Sequence, residues 1–142
     1  MNSVKVMHYF EKAREVAKLS DFSKTHIGCV AVYQNRIVGI GCNSNKTHPN
    51  QKTYNKYRNL IAQPHSEPIA KIHAEIMCLN SISKLGIDFS KVHLYIYRIR
   101  KDIPFGLSKP CNACMNAIKD LGIKHIHYTT NDGYATEDLV DI

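Results

Sequence analysis

Two short segments limit what this chain can fold into more than any other feature. The first is His73-Ala74-Glu75, and the second is Pro110-Cys111-Asn112-Ala113-Cys114. One imidazole and two thiolates are ligands typical of zinc, and three such ligands leave the fourth tetrahedral position open for water. A carboxylate that does not bind the ion can move protons to and from that water. We therefore expect a fold in which the two segments meet around Zn²⁺.

The spacing within each segment indicates where helices begin. Cys111 and Cys114 are three residues apart, so both sulfur atoms lie on one face of a helix that starts there. Pro110 suits that start, because the first amides of a helix have no acceptor within it. His73 and Glu75 would point to nearly opposite sides of a regular helix. The chemistry therefore requires His73 to lie at or just before the start of a helix.

Other kinds of site also use a C-x-x-C pair, namely redox-active sites and structural zinc sites with four protein ligands. A fourth ligand could come from Cys29, Cys42 or Cys78, or from the loop histidines His48 and His65. Cys29 and Cys42 stand in strand-like runs and are expected to be small core residues. Cys78 falls on a different helical face from the first segment. The two segments in this order favour an open catalytic site.

Length and composition indicate the number of domains, the cellular location and the charge of the ligand. A chain of 142 residues is expected to form one domain, residues 1–142. No apolar run reaches the length of a membrane span, and the first residues lack the apolar region of a signal peptide. We therefore expect no membrane partner. The five cysteines are an odd number, and two of them are assigned to the metal, which argues against a disulfide framework and for a reducing, cytoplasmic location. The net charge of +7 suits an anionic ligand, either a nucleotide phosphate or a nucleic-acid backbone.

Hydrophobic periodicity predicts a three-layer α/β/α domain with a mixed sheet and the zinc site at the N-termini of two helices. The hairpin is expected to be antiparallel and the later crossovers parallel, and Gly28, Gly39 and Gly41 indicate close backbone approach to a neighbour or ligand. After the last strand we expect only a short acidic tail with a last helical turn. The predicted elements are a helix at Ser3–Leu19, strands at Ile27–Tyr33 and Ile37–Gly41, a helix at His73–Leu85, a strand at Val92–Tyr97, a helix at Cys111–Leu121, a strand at Ile123–Thr129 and the tail Thr130–Ile142.

Two polar, basic segments separate these elements. The stretch from Asn43 to about Lys71 carries several basic residues with Tyr54 and Tyr57 among them, and 51–60 could form a helix of its own. It is either a lid that contacts phosphate and stacks on a base, or a solvated surface insertion. The second segment is Arg98–Lys109. Its basic residues are expected to lie near the metal, because the segment leads directly into the metal ligand Cys111.

The chain resembles the cytidine deaminase-like superfamily, and within it the deoxycytidylate (dCMP) deaminase branch of viral or phage type. The resemblance rests on Val38-Gly39-Ile40-Gly41-Cys42-Asn43 and on the two segments above. It implies that His73, Cys111 and Cys114 bind zinc and that Glu75 moves protons. It also implies that Asn43 contacts the substrate sugar, that the backbone of Ala74 contacts the pyrimidine, and that the protein forms a homo-oligomer.

The function expected from this resemblance is hydrolytic deamination of a cytosine nucleotide, dCMP to dUMP and ammonia. The alternatives are a deaminase acting on a base in RNA or single-stranded DNA, or on a free nucleoside or nucleobase. A further alternative is a zinc-binding module without catalytic activity. The tRNA adenosine deaminases usually carry Thr-Leu-Glu-Pro-Cys, where this chain has Leu107-Ser108-Lys109-Pro110-Cys111. That difference favours a small nucleotide as substrate.

Overall fold

The computed structural model describes residues 3–21, 25–44, 73–99 and 107–139. The interpretations of the long basic stretch, with Tyr54, Tyr57, His48 and His65, lie outside the described residues, as does most of the second basic segment. The elements are α1 (Ser3–Ala17), β1 (His26–Tyr33), β2 (Arg36–Cys42), α2 (Ala74–Ile82), a 3₁₀ turn (Phe89–Lys91), β3 (His93–Ile99), α3 (Asn112–Leu121), β4 (His125–Thr129) and β5 (Tyr134–Asp138).

The strands form one mixed sheet in the order β2-β1-β3-β4-β5. The predicted hairpin is confirmed: β1 and β2 are antiparallel, and Gln34 and Asn35 between them have φ of 51° and 64°, which a tight two-residue hairpin turn requires. β3 is antiparallel to β1 and therefore runs in the same direction as β2, and it pairs in parallel with β4. Both helical crossovers are thus parallel, as expected.

The helices cover the two faces of the sheet and make the predicted three layers. α1 packs on one face against side chains of β1 and β3, including Val30 and Tyr95. α2 and α3 pack on the other face, where alternate residues such as Ala31 and Leu94 are fully buried. The period of two along each strand explains why neighbouring residues enter different cores.

Glycines in the hairpin allow helices to approach its backbone closely. A Cβ at Gly28 would meet the backbone of Ala13 and Ala17 in α1, and a Cβ at Gly41 would meet the backbone of Ala74 and Cys78 in α2. The predicted close approaches are therefore to neighbouring helices. Since Ala74 begins α2, the glycine at position 41 also determines how near the first zinc-motif segment lies to the sheet.

The prediction for the tail is wrong, because Tyr134–Asp138 form β5, antiparallel to β4. The stretch has few apolar residues, and its pairing is stabilised instead by contacts distant in sequence. The ring of Tyr134 stacks on that of Phe10 with centroids 4.3 Å apart, and Asp138 Oδ1 lies 2.8 Å from His125 Nδ1. Within the described residues, no helix is long and apolar enough to span a membrane.

Candidate metal centre

The two motif segments each begin a helix on the same side of the sheet. His73 precedes α2 in an extended conformation, with φ −83° and ψ 157°. Cys111 precedes α3 in the same way, with φ −68° and ψ 170°, and Cys114 lies in the first turn of that helix. The predicted placement of His73 before a helix start is therefore confirmed. Both helix N-termini carry partial positive charge toward this point, which favours thiolate there.

The side chains of these three residues converge. His73 Nδ1 lies 3.3 Å from Cys114 Sγ and 3.6 Å from Cys111 Sγ. The three ligand atoms lie within 4.8 Å of one another. A tetrahedral zinc with Zn–S near 2.3 Å and Zn–N near 2.0 Å has ligand–ligand edges of roughly 3.5 Å, and both His73–Cys separations are close to that value, so the group suits this ion.

Among the described residues this is the only group of three or more such side chains that could hold a metal ion. Cys29 and Cys78 are fully buried in the core between the sheet and α2, and Cys42 lies in β2, so none joins the group. The expectation that Cys29 and Cys42 lie in strands is confirmed. The described donor set is one imidazole and two thiols, which leaves a tetrahedral position for water.

The two thiols influence the ionisation of each other in a way that favours a cation at this site. The hydrogen bond from Cys114 chiefly, with help from His73, lowers the pKa of Cys111 to about 4. The pKa of Cys114 is raised well above its usual value, because it donates that hydrogen bond and is buried. The shifts are opposite in direction, as expected of two adjacent thiols that do not both ionise readily without a cation. A divalent ion at this site compensates both thiolates, and the described residues therefore fit zinc.

Glu75 lies in the first turn of α2 with only 5 % of its surface exposed. Burial raises the pKa of its carboxyl above the usual value, and His73 opposes part of that rise. A hydrogen bond joins the carboxyl to Cys114. A carboxyl at the edge of a metal site, with its pKa moved toward neutrality, is suited to accept and return protons.

Asn43, predicted to contact a sugar, is buried at the end of β2 and uses its amide within the protein. Its Oδ1 accepts hydrogen bonds from Ser20 Oγ at 2.6 Å and Ile27 N at 3.0 Å, and its Nδ2 donates to Thr25 O at 2.9 Å. These bonds join the end of α1 to the hairpin. The role of Asn43 toward substrate stays a prediction, as does that of the Ala74 backbone.

Sequence reasoning missed the connection between the second motif and the last strand. Lys109 Nζ, expected among the basic groups near the metal, lies 3.4 Å from Glu137 Oε1 of β5. Both side chains are partly exposed, so the ion pair contributes little to stability. Because β5 was not predicted, nothing in the sequence pattern identified Glu137 as a neighbour of the segment that precedes Cys111.

Residues 3–130 match the family model described as the cytidine and deoxycytidylate deaminase zinc-binding region. No curated protein sequence matches the chain. Among solved structures, it is similar to the dCMP deaminase of cyanophage S-TIM5 in its apo form, with 19% identity and a TM-score of 0.64, over 92% of this chain and 86% of that one.

The same phage enzyme in complex with dCMP and dUMP matches with 18% identity and a TM-score of 0.65, over 92% and 84% of the two chains. The cytidine deaminase of Burkholderia pseudomallei matches with 15% identity and a TM-score of 0.60, over 93% and 91%. At these identities the structural likeness establishes the fold.

Proposed function

The chain belongs to the cytidine and deoxycytidylate deaminase family of zinc-dependent hydrolytic enzymes, and we propose that it converts dCMP and water to dUMP and ammonia. Zinc held by His73, Cys111 and Cys114 would supply a polarised water as nucleophile. Glu75 would take one proton from the attacking water as its oxygen adds to C4 of the ring, and pass that proton to the ring nitrogen N3. It would then take the remaining proton from the new C4 hydroxyl and pass it to the amino group, which leaves as ammonia when the C4–N bond breaks.

The observation that carries the proposal is the buried carboxyl of Glu75 beside a three-ligand metal group. A structural zinc module needs neither an open position nor an adjacent acid that does not bind the ion. Burial raises the pKa of Glu75 above its usual value, which favours a carboxyl that both accepts and returns a proton, as two successive proton transfers require.

Three features support a nucleotide as substrate. The net charge of +7 suits a phosphate-bearing ligand. A similar structure is that of a phage enzyme in complex with dCMP and dUMP. The chain also lacks the run before the cysteine pair that is usual in tRNA adenosine deaminases. Within this proposal, Asn43 contacts the sugar and the backbone of Ala74 contacts the pyrimidine. The protein acts in the cytoplasm as a homo-oligomer, and each subunit is a single domain.

The test is ammonia release by the zinc-loaded protein with dCMP, deoxycytidine, dCTP and a single-stranded oligonucleotide in parallel, with metal-stripped protein as control. We expect kcat/KM for dCMP to exceed that for deoxycytidine by at least tenfold. Equal or better turnover of deoxycytidine would identify a nucleoside deaminase instead. Turnover of the oligonucleotide alone, weakened steeply by salt, would identify a nucleic-acid editor. Bound zinc without turnover of any substrate would favour the non-catalytic module.

A further inference from the structure

A buried pair of hydroxyls lies directly ahead of the second metal segment. Ser108, with 4 % of its surface exposed, donates from Oγ to Ile96 O at 2.8 Å. The same oxygen accepts hydrogen bonds from Thr129 N at 2.7 Å and Thr129 Oγ1 at 2.9 Å. Ser108 thereby uses its single proton and both lone pairs, which is the full capacity of a hydroxyl.

These bonds join three parts of the chain. Ile96 is in β3 and Thr129 ends β4, the two strands that pair in parallel. The backbone amide of Ser108 adds a bond to Thr129 O at 2.8 Å, and Thr129 Oγ1 accepts one from Arg98 N at 3.2 Å. The pair therefore holds the segment before α3 across the ends of both strands.

The position of Ser108 determines that of Cys111. Only Lys109 and Pro110 separate them, and the proline ring fixes its own φ while restricting the residue before it to extended conformations. A segment with so few free torsions carries a displacement at one end to the other. Cys111 in turn has an extended conformation that its place before α3 requires.

We propose that Ser108 and Thr129 are positioning residues, which act through the Lys109-Pro110 link to hold the Cys111 thiolate in place for the metal. The inference rests on metal binding by the three-ligand group, which is part of the proposed function, and does not depend on the substrate. Groups that orient metal ligands without touching the ion typically change metal affinity about 10–100-fold when removed.

The experiment measures zinc affinity by competition with a chromophoric chelator, and the absorption of the Co²⁺-substituted protein. The variants are Ser108→Ala, Thr129→Val, which has nearly the same shape without the hydroxyl, and Thr129→Ser, which restores it. The matched control is Ser20→Ala, since Ser20 is also buried and its hydroxyl bonds Asn43 O at 2.7 Å and Asn43 Oδ1 at 2.6 Å, in a segment that does not lead into a metal ligand.

We expect Ser108→Ala and Thr129→Val to weaken zinc binding about 10–100-fold and to alter the thiolate-to-cobalt absorption. Thr129→Ser and Ser20→Ala should stay within about threefold of the wild type. If Ser108→Ala does not fold, the comparison of valine with serine at position 129 decides alone. Wild-type affinity and an unchanged cobalt spectrum in the folded hydroxyl-free variants would overturn the proposal, even if their thermal stability falls.

The measurement of zinc affinity tests this proposal independently of the proposed function, which is tested by turnover. A wild-type protein that binds zinc tightly, responds to the variants as expected and turns over no cytosine compound would refute the deaminase while supporting the positioning pair. Failure of the wild type to bind zinc would overturn both.

Discussion

Acid is expected to destabilise this fold through His127, a buried histidine on the face of the sheet opposite the metal group. His127 Nε2 lies 2.9 Å from His93 Nδ1, and the two rings are 14° from parallel with centroids 5.2 Å apart. That separation is about what an in-plane hydrogen bond between two imidazoles gives. The other nitrogen, Nδ1, lies 2.9 Å from Thr136 Oγ1 of β5. A proton added to His127 places a positive charge in this buried position, which burial disfavours.

The size of the effect follows from the pKa. Burial, with His93 and His125 adding to it and Asp138 opposing it, lowers the pKa of His127 from 6.5 to about 4. A native pKa below the unfolded one means that the unfolded chain binds the proton first, so stability is present above pH 6.5 and is lost as the pH falls. At about 1.4 kcal/mol per pKa unit, we expect a loss of about 2 kcal/mol between pH 7.5 and 5.0, and about 3 kcal/mol in full.

The assay is urea unfolding of the zinc-saturated wild type and His127→Gln at several pH values over that range. Glutamine keeps a hydrogen-bonding side chain and removes the titration, so the free-energy difference between the proteins should change by about 2 kcal/mol in favour of the variant at pH 5.0. The metal ligands titrate in both proteins and cancel. The exposed His8, changed to glutamine, is the control. Parallel pH dependences of wild type and His127→Gln would refute the reasoning.

Three further predictions concern variants on the face of the sheet that carries the metal group. Glu75→Gln should bind zinc with wild-type stoichiometry and lose about 10²–10⁴-fold in turnover, measured by metal analysis and ammonia release; undiminished turnover would end the mechanism. Cys111→Ser should weaken zinc binding and remove most of the thermal stabilisation that added zinc gives the wild type, which calorimetry with and without the ion would detect. Gly41→Ala should lower the unfolding free energy by about 1–3 kcal/mol, since its methyl group would meet the backbone of Ala74, whereas Gly86→Ala, with open space around it, should cost far less.

The metal site could be predicted from the sequence because its chemistry restricts geometry. An imidazole and two thiols can share one ion only if their backbones converge, so the position of His73 before a helix start followed from the need to bring it and Glu75 together. The hairpin and the alternating helices followed from periodicity in the same local way. Boundaries shifted by a few residues, for instance at the end of α2, which stops at Ile82 and not at Leu85.

The last strand and its contacts could not be predicted, because they depend on partners far away in sequence. β5 has little apolar periodicity, and although it pairs with β4, its side chains also contact Phe10 of α1 through Tyr134 and His125 through Asp138. The contacts among His93, His125 and His127 likewise require the parallel register of β3 and β4, in which His93 lies opposite His125. A pattern of single residues carries no information about such register, and the Ser108–Thr129 pair was missed for the same reason.

The glycine in β2 connects packing with acid–base chemistry. Because position 41 lacks a side chain, the first turn of α2 lies against the sheet at Ala74 and Cys78, on either side of Glu75 in sequence. Glu75 is buried in this turn, and burial raises the pKa of its carboxyl. A methyl group at position 41 that lifts this turn would expose the carboxyl and return its pKa toward the usual value. The acidic limb of the activity profile of Gly41→Ala should therefore move to lower pH, and an unmoved limb would show that the burial of Glu75 does not depend on this contact.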